Sequence, residues 1–186
     1  MTPRHPFEWI SPSAQKSVFW VLLLVTLFIM ATLRVLDVPL KTEIAPSGIV
    51  SFEFAGELSL ARRMVESWGQ RGQIVAGLSL GLDYLFLLAY AGSIGLGCVL
   101  IGRSVLERGK QLFSIGVLVA WAVLLAAVLD MFENYALIRV LLGSQREMWP
   151  MVAKWCALPK FLLVALGLAY IVIGGVVSLF SRQRTN

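Results

Sequence analysis

Apolar and polar positions along the chain divide it into four long hydrophobic runs, one long polar connection and several short ones. Residues 17–36 are apolar for about 20 positions, enough for a helix to cross the hydrocarbon of a bilayer. The run is longer than the core of a secretory signal, and Arg34 and Asp37 follow it in place of a small-residue cleavage site. It is therefore expected to stay attached as a first span. The other runs cover residues 74–101, 112–142 and 150–180, the last opening on Pro150, a favoured first helical position. Short connections between the last three runs make them antiparallel neighbours. The pattern predicts an all-α, integral membrane four-helix bundle, 1–186 forming a single transmembrane domain.

The connection over residues 37–73 has its own pattern. Pro39, Pro46 and Gly48 suggest turns, and Ser51-Phe52-Glu53-Phe54 alternates with period two, as a short extended segment would. Beyond it the period lengthens. Leu58, Ala61, Val65 and Trp68 share one helical face, with Ser59 placed to cap the start and Gly69 to end it. This short amphipathic helix is expected to lie in the interface, its apolar side in lipid or on the bundle, or against a protein partner.

Composition agrees with the pattern and narrows the function. Apolar residues make up 58% of the 186 positions and charged residues only 15%, which leaves no room for a separate soluble catalytic domain. The sole histidine, His5, lies in the N-terminal tail, so histidine triads, di-histidine metal sites and paired-histidine haem ligation are not expected. Cys98 and Cys156 form neither a C-x-x-C pair nor a zinc spacing and should sit ~25 Å apart by helix rise, which excludes a thiol oxidoreductase. No cofactor and no metal are expected. The net charge of +5 is spread along the chain with no basic stripe, which argues against nucleic acid and for headgroup contact. Arg4, Lys16, Arg103, Arg108, Lys110, Arg182 and Arg184 lie densely in the short segments on the terminal side. The positive-inside rule then puts both termini in the cytoplasm.

Candidate chemistry comes from depth. Asp83 lies ~14 Å into its run, Glu133 ~15 Å from the same membrane side, Asp130 ~20 Å and Lys160 ~15 Å. Asp130, Glu133 and Asn134 are spaced i, i+3 and i+4 and form one patch, with Ala122 and Ala126 continuing the ridge. Asp83 shares its face with Phe86 and Tyr90, while Gly77, Gly81, Ala89, Ser93 and Gly97 form a small-residue ridge suited to helix packing. Arg34 could reach the charged level or snorkel outward. Phe86, Tyr90 and Tyr135 read as core aromatics, Trp149 and Trp155 as interfacial anchors.

A carboxylate at mid-membrane costs ~2.5–3.5 kcal/mol on translocon scales, so these acids should face inward, paired or protonated. Two readings stay open. If the hydrocarbon covers only 83–101, 112–130 and 161–180, the charges are interfacial and close the bundle by mutual pairing. Otherwise they form a site, with Asp83, Asp130 and Glu133 supplying negative charge, Asn134 and Tyr90 orienting a ligand and Lys160 acting as the internal cation. The expected function is non-enzymatic binding of a cation or amphipathic small molecule, for transport. The alternatives are a structural or assembly subunit, self-associating or bound to a protein partner, and a lipid-modifying membrane isomerase in which two acids exchange protons.

The strings Leu82-Asp83-Tyr84-Leu85-Phe86, Asp130-Met131-Phe132-Glu133-Asn134 and Phe52-Glu53-Phe54-Ala55 resemble those of an uncharacterised group of small bacterial four-span membrane proteins. The resemblance covers most of the chain and implies architecture only, not an activity; the expected location is a bacterial inner membrane. The general plan is also similar to that of the emopamil-binding and sigma-2-like membrane proteins, which carry acids in an intramembrane cavity, with no functional residue carried over. Vitamin K epoxide reductase-like proteins share the helix number, but their C-x-x-C is missing.

Overall fold

The computed structural model describes residues 4–104 and 110–182, without the side chains of Lys110 and of residues 179–182. Arg108 and Arg184 of the terminal-side cation set thus lie outside the described residues. The fold is all-helical, with 84% of the described residues in helix and no strand among them. Its elements are α1 (Pro12–Asp37), a 3-10 turn (Val38–Leu40), α2 (Ile49–Glu53), α3 (Leu58–Ser67), α4 (Gly69–Ser104), α5 (Lys110–Leu141) and α6 (Met148–Arg182). Among the described residues, four helices are long and apolar enough to cross a membrane. Each begins before the hydrophobic run that announced it, because polar flanks such as Ser13-Ala14-Gln15-Lys16 and Gly69–Gln73 are already helical.

Helix α4 is the most enclosed, with α1 packed on one flank and α5 and α6 on the other. Close approach depends on missing side chains. A Cβ on Gly167 would lie 2.7 Å from both Ile94 and Val123, and one on Gly116 would lie 2.9 Å from the Cys98 carbonyl oxygen. The predicted ridge on α4 is only half used. Ala89, Ser93 and Gly97 are buried, and Ser93 Oγ lies 3.3 Å from Thr26 Oγ1 of α1. Gly81 instead faces outward with open space around it, because the lower part of α4 turns a different face to α5 and the connection. The outer surface is what lipid would select: Leu24 and Phe28 of α1, Leu118 and Leu125 of α5, and Leu162 and Ile173 of α6 are all exposed.

The connection is folded as a cap over one end of the bundle. The segment expected to be extended, 51–54, is mostly the short helix α2, started by Asp37, whose Oδ1 accepts the Ile49 N–H at 2.8 Å. Gly48 makes that approach possible, since its φ of 58° is left-handed and a Cβ there would strike the Asp37 carboxylate. The amphipathic helix exists as α3, but it begins at Leu58 with Glu57 as the flanking residue and no side-chain cap, so Ser59 does not cap it. Its apolar face rests on the bundle. Ala61, Met64 and Trp68 join Leu40, Phe52, Ala76, Leu80, Ala136, Leu137 and Ala153 in one buried cluster. The Trp68 indole N–H donates to the Leu40 carbonyl at 2.7 Å, and its ring meets Phe52 edge-on.

The N-terminal tail is also docked. Phe7 and Ile10 are buried in a second core cluster with Leu87, Ile94 and Ala120. Gln15 donates to the carbonyls of Phe7 and Ile10, while its own oxygen accepts from Arg103 at 2.6 Å.

Candidate functional site

The last residue of α2, little more than one turn of α5 and the middle of α6 meet beneath the cap. Helix α6 continues through Pro159 and turns Lys160 inward. The Lys160 ammonium donates to Asp130 Oδ1 at 3.0 Å and to Glu133 Oε1 at 2.8 Å, and lies 3.9 Å from Glu53 Oε2. It also sits 4.7 Å from the centre of the Phe161 ring. Asp130 Oδ2 accepts the Tyr90 hydroxyl from α4 at 3.0 Å. One turn along α5, Asn134 donates its amide to Asp83 Oδ2 on α4 at 2.6 Å.

All six residues singled out by depth and spacing are drawn into this layer. Glu133 is wholly buried; Asp130, Asn134, Tyr90 and Lys160 are buried, and Asp83 is half-buried. Asn134 and Tyr90 each bond an acid, so what they orient is Asp83 and Asp130. Lys160 is ion-paired with three acids. Arg34, at the last turn of α1, is exposed. Tyr135 is 48% exposed, packed edge-on against Trp149, and so is no core aromatic. Trp155 is exposed as an anchor should be.

Glu53 escapes depth arithmetic because it belongs to the connection. The signal that could have found it is a single carboxylate between two phenylalanines, Phe52 and Phe54. Phe52 is fully buried, and Phe54 stacks on Phe161 beside Lys160. Burial pushes the Glu53 carboxyl above the usual range. Lys160 opposes the shift, and Asp130 adds to it.

The layer holds four carboxyl groups, Glu53, Asp83, Asp130 and Glu133, against the single ammonium of Lys160. With every carboxyl ionised it would carry three uncompensated negative charges. Two unit charges ~4 Å apart interact by about 4 kcal/mol even at an effective dielectric of 20. The set therefore favours taking up positive charge. Among the described residues, no group of three or more His, Cys, Asp and Glu is arranged to hold a metal ion.

At the opposite end of the bundle lies a smaller polar group. His5 Nε2 is 2.8 Å from an Arg103 nitrogen, and His5 Nδ1 faces the Phe7 N–H at 3.2 Å. Burial, and then Arg103, lower the His5 pKa, while Glu8 opposes them.

No protein family matches the chain, no curated protein matches it, and no solved structure matches its fold.

Proposed function

We propose that this is a non-enzymatic multi-pass membrane protein whose buried acidic layer binds an exchangeable cation or a positively charged amphipathic small molecule, as a basis for transport. The observation that carries the reading is the imbalance of four carboxyls facing one ammonium inside an apolar bundle. A layer built only to hold helices together would be balanced more cheaply by apolar packing. Placement in a bacterial inner membrane with cytoplasmic termini belongs to the same proposal. It puts the cap and the acidic layer toward the outer side, within reach of extracytoplasmic solutes.

The test is ligand-linked stability of the purified protein in detergent or nanodiscs. Sodium, calcium and a long-chain alkylamine are added in turn, protons are added by a step from about pH 8 to about pH 6, and the unfolding midpoint is measured. Binding at about 100 times Kd stabilises by about 2.7 kcal/mol. Wild type should shift with at least one of these probes, whereas Asp83→Asn and Glu133→Gln should stay monodisperse and lose the shift. Identical shifts in all three proteins would remove the proposal.

A second reading, a structural or assembly subunit, is favoured by one observation: Lys160 ties α2, α5 and α6 together through three acids. It predicts that the same substitutions lower the midpoint and that no added cation raises it in any form of the protein.

A further inference from the structure

We propose that the positive charge exchanged by this layer is a proton, held between the carboxyls of Glu53 and Glu133 and entering from the aqueous side through Glu53. This rests on the cation-binding reading above and names the ion.

The Glu53 carboxyl lies within hydrogen-bonding reach of Glu133. Glu53 Oε2 is buried with no hydrogen-bonding partner and the Lys160 ammonium no nearer than 3.9 Å, whereas Glu133 Oε2, also buried, is ion-paired with that ammonium at 2.8 Å. Ionised carboxylates only accept, so the buried Glu53 oxygen beside Glu133 remains unsatisfied until one of the two carboxyls carries a hydrogen. A single proton completes the pair, with one carboxyl donating and the other accepting. Larger ions fit less well. Calcium takes six to eight oxygens, and here the position central to Asp130, Glu133 and Glu53 is already filled by the Lys160 ammonium.

The two acids differ in access. Glu133 is on α5 with its side chain fully enclosed, whereas Glu53 belongs to the cap and keeps 12% of its side chain exposed. Water can therefore reach Glu53 first. Inward from Glu53 the polar contacts continue through Glu133, Lys160 and Asp130 to Tyr90, so the proton site opens onto a chain of proton-bearing groups. The charged groups facing Glu53 come from every neighbouring element: Lys160 from α6, Asp130 and Glu133 from α5, Asp37 from the end of α1 and Asp83 from α4. Burial, Asp130 and Asp37 oppose ionisation of Glu53, while Lys160 and a hydrogen bond from Glu133 favour it. In the uptake step a hydronium ion gives its proton to a Glu53 oxygen, forming one O–H bond and leaving water. The charge of the layer rises by one, and no other covalent bond changes.

Infrared spectroscopy of the protein in nanodiscs at about pH 7, where exposed glutamates are ionised, reads this proton directly. A protonated-carboxyl stretch is expected that moves on exchange into heavy water. Carbon-13 labelling of glutamate should shift it, and labelling of aspartate should not, so the unmodified protein already tests the assignment. Glu53→Gln and Glu133→Gln should each abolish the band, while Glu66→Gln, an exposed change on α3 outside the layer, should retain it. Absence of the band, a band that follows aspartate labelling, or a band that survives Glu53→Gln would overturn the inference. A sodium, calcium or alkylamine shift lost in Glu133→Gln without any such band would leave the cation-binding reading standing and remove the proton.

Discussion

Tyr90 of α4 donates its hydroxyl hydrogen to Asp130 of α5 across 3.0 Å, and so fixes the acid that Lys160 grips from the other side. Phenylalanine at position 90 keeps the ring packed on Phe86 and removes only that donor. The Tyr90→Phe variant should lose about 1–3 kcal/mol, the cost of leaving a buried acceptor unsatisfied. Its unfolding midpoint should fall, and the loss should largely vanish in a Tyr90→Phe, Asp130→Leu double variant, measured against Asp130→Leu alone.

Removing the ammonium exposes the imbalance. Lys160→Met leaves Asp130, Glu133 and Glu53 without their shared cation. Breaking one partner out of a buried ion pair costs about 3–5 kcal/mol. The variant should be strongly destabilised at neutral pH. Glu133→Gln added to it should restore part of the loss, since the double variant holds one fewer unpaired charge. Denaturant unfolding in mixed micelles measures both. No rescue would mean that Lys160 acts through packing against Phe161 alone.

The cap should open as a unit. Phe52 is fully buried between Trp68 and the bundle, so Phe52→Ala should cost about 3–5 kcal/mol of local or global stability. Hydrogen–deuterium exchange should then rise together over residues 41–68. The terminal-side ends of α1 and α4 should change little, because the two buried clusters are separate.

The tail docking should depend on pH through His5. Its ring nitrogens face Arg103 and the Phe7 N–H, both donors, and burial and Arg103 hold its pKa below the ordinary 6.5. The docked state thus favours neutral histidine. Its contribution is complete above about pH 6.5 and is lost as pH falls toward the lowered docked value. After correction for intrinsic exchange rates, amide exchange over residues 4–11 should accelerate between about pH 7.5 and 5 in wild type. His5→Gln, which cannot take up the proton, should show no such dependence.

The sequence by itself determined the four spans and the level of the charged layer, since helix rise is constant and lipid demands a minimum apolar length. Asp83, Glu133 and Lys160 could be brought to one depth, and Asp130, Glu133 and Asn134 to one face, without coordinates. Tertiary structure alone decided the partners. Helices that are apolar on most sides give little indication of which face turns inward, so the pattern packs Gly81, which faces open space, and puts Tyr135 in the core, where it is half exposed. The connection carries no long periodic signal, and its cap is held by contacts between residues far apart in sequence, such as Asp37 with Ile49 and Trp68 with Leu40. Glu53 reaches the layer only through that folding, as His5 reaches Arg103 only through the docking of the tail. Such placements depend on how helices rotate and loops close against one another, and those long-range energies are not written in any local run of residues.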